Sequence, residues 1–176
     1  MEKIELIGVN KSFKEEKVLK DICLTLTDNK IYGFVGRNGS GKSVLFKIIC
    51  GYVIADSGKI MIDGKELGKD MDFPEGLGAL IETPGFIWYQ SGFENLRYLA
   101  RIRNKINDAQ VKDAIRQGGL NPDSKKWVGK YSMGMKQRLG IAQAIMENPD
   151  ILVLDEPMNA LDEEGVEEIR QLLLKY

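Results

Sequence analysis

The run Gly36-Arg37-Asn38-Gly39-Ser40-Gly41-Lys42-Ser43 gathers residue types that can hold a phosphate chain. Glycines let the backbone curl so that successive N–H groups face inward, and a helix beginning behind them adds its positive end. In that cradle Lys42 would neutralise the β- and γ-phosphates of a nucleotide, and the Ser43 hydroxyl would offer Mg2+ a hard oxygen. Arg37, Asn38 and Ser40 complete the turn and add their amides. The spacing is that of a phosphate loop, and the context agrees, since the run follows the apolar stretch IYGFV and precedes a helical pattern. The plain alternative is a glycine turn that happens to precede a lysine. Its four fixed positions would coincide by chance in about 1% of chains of this length.

A second constellation is ILVLDEP at 151–157, an apolar strand ending in two acids, in the form of a Walker B strand. Asp155 would join the Mg2+ shell from the strand end, and Glu156 would face the γ-phosphate and polarise the attacking water. Taken alone, Asp-Glu-Pro is equally a strand ending at the surface. Beside a phosphate loop in the same chain it reads as the acidic half of a nucleotide site.

These residues need a framework that holds them. Over residues 4–35, IELIGV, CLTLT and IYGFVG alternate apolar and polar positions between the polar stretches KEEK and TDNK, which predicts strands joined by turns. Val44, Leu45, Ile48 and Ile49 recur at helical spacing up to a stop at Gly51. SGKIMIDGKEL predicts a hairpin around Asp63-Gly64, and LGALIE a buried strand. From about Phe93 to Met146 the pattern is helical, with Leu96, Leu99, Ile102 and Ile106 on one face, then Val111, Ala114 and Ile115, then Leu139, Ala142, Ile145 and Met146. Asn148-Pro149 ends that stretch, ILVL suits a parallel strand covered on both faces, and Asp162 begins a last helix with Val166, Ile169, Leu172 and Leu173 inward.

Composition removes several classes. With a net charge of -1, 43% hydrophobic and 29% charged residues, nothing points to disorder, a nucleic-acid-binding basic surface or an acidic tail, and no nucleic-acid partner is expected. Histidine is absent, so neither histidine catalysis nor a histidine metal ligand is open to this chain. Cys23 and Cys50 lie in apolar runs without close pairing and read as buried free thiols of a reducing, cytoplasmic compartment. The N-terminus lacks a signal-peptide pattern and no run approaches about 18 apolar residues, so membrane association is expected through a partner.

Further segments make the chain resemble the ATP-binding-cassette (ABC) transporter ATPases over essentially its whole length. YSMGMKQRLGIAQAI (131–145) is similar to the family's LSGGQ signature: Ser132 and Gly134 match, while Met133 and Met135 replace a glycine and the glutamine. The resemblance implies that Ser132 and Gly134 bind the γ-phosphate of an ATP held by a second ABC subunit, in a head-to-tail dimer. By itself Ser132 reads as a helix cap. Phe13 falls where the family keeps an aromatic stacked on adenine, with Val18 assigned to the same nucleotide; without the resemblance Phe13 reads as a core or strand-edge aromatic. ALIETPGF (79–86) resembles the Q-loop segment, with Glu82 where most members have glutamine, which implies a role at the metal and attacking water and a contact to the membrane permease. Glu82 and the SMGMKQR signature together resemble the subgroup that exports lantibiotics, bacitracin and similar peptide antibiotics. MNALD (158–162) resembles the D-loop, with Asp162 reaching across the dimer, although Asp162-Glu163-Glu164 is also a good helix start.

The expected fold is α/β: a P-loop NTPase core sheet with an N-terminal antiparallel β subdomain and a helical subdomain at about 84–147, all within one domain over 1–176. The family's switch histidine is missing, so the chain reads as C-terminally truncated. The expected function is that of an ATP-binding, ATP-hydrolysing subunit with Mg2+, peripheral on the inner membrane face through a permease. The bets are Lys42, Glu82 and Glu156 for catalysis and Ser43, Asp155 and Glu82 for the metal. Rival readings are a soluble ABC-type ATPase, a P-loop kinase, and an ATP-binding module deficient in hydrolysis.

Overall fold

The structure is a computed structural model that describes residues 2–82 and 84–176. Thr83, within the ALIETPGF segment, lies outside the described residues. Two compact units divide the chain, Met1–Glu75 and Gly76–Tyr176.

In the first unit, β1 (Glu2–Phe13) and β2 (Glu16–Thr27) form an antiparallel hairpin around Lys14-Glu15, with Phe13 opposite Glu16. Lys14 takes the left-handed φ of 55° that a tight hairpin turn requires. β3 (Ser57–Ile62) pairs with the other side of β1, and the short β4 (Lys65–Glu66) follows across the Asp63-Gly64 turn, giving the order β2-β1-β3-β4. Inward alternation buries Ile4, Leu6, Val9, Ile60 and Ile62 beneath this sheet. Helix α1 (Lys42–Ile49) buries Leu45, Phe46, Ile48 and Ile49 and ends at Gly51, whose φ of 77° no further helical turn can accommodate.

Two expectations fail in this unit. The run IYGFVG belongs to neither described sheet, and Ile31 and Val35 are exposed. Its alternation is that of a strand, but a strand exists through its ladder, and no described strand pairs with it. It is anchored instead through Phe34, whose ring meets Phe46 of α1 edge to face at 5.3 Å. Cys23 is exposed rather than buried, while Cys50 is buried as expected. On β2 the inward positions are Ile22, Leu24 and Leu26, so the pleat turns Asp21, Cys23 and Thr25 outward, and the Cys23 sulfur accepts the Gly8 N–H at 3.2 Å.

In the second unit, β5 (Leu77–Leu80) and β6 (Ile151–Leu154) pair in parallel, Leu77 opposite Ile151 and Leu80 opposite Leu154. Between them run α2 (Gly92–Arg103), α3 (Asp108–Gln117), a 3-10 turn at Val128–Lys130 and α4 (Met133–Ile145); α5 (Glu163–Leu173) follows β6. Local signals set the boundaries. Ser91 with Glu94, and Asn107 with Gln110, form reciprocal capping boxes at the starts of α2 and α3. α4 lies between two apolar clusters: Leu139 and Ala142 pack with Leu96, Val111 and Ile115, while Ile141, Ala144 and Ile145 pack with Leu80, Ile169 and Leu172. Each such Leu or Ile contributes about 1.5–3 kcal/mol on burial. The expected α2 stripe is shorter than its period suggests. Leu96 is buried and Leu99 and Ile106 pack against its cluster, Ile106 from beyond the left-handed Asn104 that ends the helix, but Ile102 is exposed.

Candidate phosphate-binding site and its acidic partner

The phosphate loop belongs to the first unit. Gly41 is held in place twice over: its φ is 90°, and a Cβ there would lie 2.9 Å from Leu19 Cδ2 and 3.1 Å from Val18 Cγ1. The loop is therefore pressed against β2 at Val18 and Leu19. The Ser40 N–H donates to the Arg37 carbonyl at 3.1 Å, closing the turn through Asn38 and Gly39. No side chain caps the start of α1 and no acid stands in its first turn, so the helix end presents amides and positive potential outward. The Lys42 ammonium donates to the carbonyls of Gly36 (2.7 Å) and Arg37 (3.1 Å), which ties the cation to the rim of the cradle it would serve.

Phe13 stands at the end of β1 with its side chain about half exposed. It is not a core residue. Its described ring partner is the Lys11 ammonium, 5.3 Å from the centroid, and Lys11 is itself paired with Asp56 at 2.7 Å.

The acids belong to the second unit. Asp155 follows β6 directly, is buried, and its N–H donates to the Leu80 carbonyl at 2.7 Å, extending the parallel ladder by one bond. Glu82 follows β5 by two residues, is exposed, and has a left-handed φ of 60°. Because the strands are parallel and in register, Glu82 and Asp155 leave the sheet at the same carboxyl end, where open α/β sheets bind ligands. Glu156 is also exposed and left-handed, φ 48°. Its carbonyl accepts from Gln137 Nε2 and from the Asn159 N–H, both at 3.1 Å, and Asn159 Nδ2 donates to its carboxylate. Gln137 and Asn159 were not among the expected site residues. Their signal was present as amide side chains in MKQR and two residues after Asp-Glu-Pro.

Ser132 caps α4, its Oγ accepting the Met135 N–H at 3.1 Å, and this leaves the hydroxyl proton able to donate. Gly134, in the first turn, faces the loop before α5: a Cβ there would sit 2.8 Å from the Ala160 carbonyl oxygen. Asp162 caps α5 by accepting the Gly165 N–H at 3.0 Å. The second unit thus brings the signature start, the Glu156 turn and the Asp162 loop into one cluster.

Among the described residues no group of three or more His, Cys, Asp or Glu side chains gathers to hold a metal. Ser43 offers a hydroxyl in the first unit, and Asp155 and Glu82 offer single carboxylates in the second. Each is a hard oxygen donor of the type Mg2+ takes one or two of, completing its shell with phosphates and water.

A family model described as ABC transporter matches residues 19–159. The chain is 42% identical over 172 residues to the ABC transporter ATP-binding protein YybJ of Bacillus subtilis (strain 168), covering 98% of this chain and 79% of YybJ. It is 39% identical to the bacitracin transport ATP-binding protein BcrA of Enterococcus faecalis, covering 98% of this chain but 56% of BcrA, so it spans little more than half of that relative. A solved dimeric post-hydrolysis state of the ATP-binding cassette MJ0796, bound to ADP and Pi, superposes with a TM-score of 0.86 at 24% identity, over 97% of this chain and 81% of that one. That likeness fixes the fold as the ABC ATPase fold. Family match, relatives and fold agree that this chain belongs to the ABC transporter family as one of its ATP-binding ATPases.

Proposed function

We propose that this chain binds Mg-ATP and hydrolyses it to drive a separate membrane permease that exports peptide antibiotics of the bacitracin or lantibiotic kind. The observation that carries the nucleotide reading is the uncapped start of α1 behind a glycine-built loop with Lys42 at its rim. The export reading is supported by likeness to BcrA, a bacitracin transport ATP-binding protein, and by Glu82 with the SMGMKQR signature. Placing transport on a partner, and this chain on the inner membrane face through it, rests on the family; among the described residues no helix is long and apolar enough to cross a membrane.

Lys42 and the loop amides would bind the phosphates, and Phe13 and Val18 the adenosine side. Ser43, Asp155 and Glu82 would hold Mg2+, which supplies charge neutralisation on the phosphate oxygens. Glu156 takes the proton of the attacking water as its oxygen bonds to the γ-phosphorus. The bond from that phosphorus to the β–γ bridging oxygen breaks, and ADP leaves with the electron pair. Ser132, Gly134 and Asp162 would meet the nucleotide of a second copy. The region 84–147 would act as the helical subdomain that moves toward the partner. The support for placing these groups on shared nucleotides is their chemistry and the family.

The test uses the full gene product. Lys42→Ala should lose high-affinity Mg-ATP binding, and Glu156→Gln should stop turnover while letting ATP hold two subunits together, read by light scattering. Parental affinity in the first, or an ATP-independent monomer in the second, would overturn the reading.

A further inference from the structure

Glu156 is exposed, attached through rotatable bonds, and set on a backbone that L residues rarely adopt. A general base needs its carboxylate aimed at the water, and nothing in glutamate itself supplies that aim. We infer that Asn159 is the positioning residue of Glu156, a role that rests on the reading of Glu156 as the base.

Asn159 holds the acid at two points. Its backbone N–H donates to the Glu156 carbonyl at 3.1 Å and its side-chain Nδ2 donates to Oε2 of the carboxylate. Gln137, from the first turns of α4, donates to the same carbonyl at 3.1 Å and fixes the left-handed backbone from the other side. With Oε2 engaged, Oε1 is the oxygen that takes the proton. Asparagine suits the task because its side chain is short, uncharged and carries a donor; an aspartate of the same shape would place an acceptor and a like charge against the base. The arrangement also connects two motifs. The signature start at Ser132 and the carbonyl held by Gln137 belong to one helix, so a displacement of α4 reaches Glu156 through a single side chain.

Because Asn159 and Glu156 are both exposed, the contact adds little to folding stability, and losing it acts on the reaction. Steady-state ATP turnover of the full gene product should be measured for the parent, Asn159→Ala, Asn159→Asp, Glu156→Gln and the Glu156→Gln/Asn159→Ala pair. Asn159→Ala should lower kcat about tenfold or more with KM for Mg-ATP within about twofold and an unchanged melting temperature. Asn159→Asp should be no better despite its matching shape, and the double variant should be no slower than Glu156→Gln alone, since Asn159 acts through that carboxylate. Asn159 variants at parental kcat beside an inactive Glu156→Gln would overturn this inference and leave the base intact. Equal losses in kcat and melting temperature, or a further loss in the double variant, would also overturn it. Parental turnover in Glu156→Gln would sink the base reading itself.

Discussion

The carbonyl oxygen of Ala160 occupies the space into which a side chain on Gly134 would grow, 2.8 Å from its Cβ position. The signature glycine is therefore fixed by packing against the loop before α5, whatever it also does for a phosphate. Alanine would gain up to about 1 kcal/mol of helix propensity at this position. It would lose more, because the obstacle is backbone, which cannot step aside by changing rotamer, and overpacking costs about 1–3 kcal/mol. Gly134→Ala should lower the melting temperature by a few degrees in a calorimetric scan; a more stable variant would show that the loop moves freely.

Phe13 is exposed enough for its removal to leave folding nearly untouched. If its ring stacks on adenine, Phe13→Ala should weaken ATP binding by about 1–3 kcal/mol. The same variant should bind inorganic tripolyphosphate as the parent does, since that ligand has no base to stack. Equal losses for both ligands in a titration would move the ring's role to the phosphate loop.

The two thiols should react at different rates. Cys50 is buried at the C-terminal end of α1 and its pKa is pushed up to about 12 by that burial, so it holds almost no thiolate at pH 8, whereas Cys23 lies on the outer face of β2. In the native protein an alkylating reagent at pH 8 should modify one cysteine, the second following only after denaturation. Cys23→Ser should abolish the native labelling. Labelling that persists in that variant would place Cys50 within reach of solvent.

Acid should loosen the start of α2. Glu94 is held below its ordinary value chiefly by the Ser91 hydroxyl, with the Ser91 backbone N–H adding to it. Its folded pKa is depressed, so the capping contribution is fully present above the unfolded value, about 4.3, and is lost as the pH falls through the lower folded value. The melting temperature should drop through that window. Glu94→Gln keeps the box without a titrating group and should show a shallower drop; identical pH profiles would assign the acid sensitivity elsewhere, for instance to Asp56 under Lys11.

What the sequence made legible was local. The phosphate loop, both capping boxes and the helix starts at Ser132 and Asp162 depend on residues a few positions apart, and the first and last of these were read directly. Non-local facts were hidden. Nothing within IYGFV says which strand, if any, pairs with it, and nothing around Cys23 says which way the pleat turns, since β1 and β2 slip register between Leu6 and Val9. α4 is buried on two sides, so a single stripe of Leu139, Ala142, Ile145 and Met146 missed Ile141 and Ala144. Gln137 and Asn159 escaped because their meaning lies in the same Glu156 carbonyl, reached from helix and loop.

The parallel pairing of Leu77 with Ile151 sets an order of events during synthesis. The β1–β2 hairpin closes across two residues and can form soon after it is made, while β5 must wait until the whole helical stretch and β6 have appeared. Until then it presents an unpaired parallel edge, and closing so long a loop is slow because its entropy is spent before the ladder gives anything back. The second unit is thus expected to close after the first hairpin, and mutations that slow α2–α4 should lengthen the time for which β5 stays unpaired.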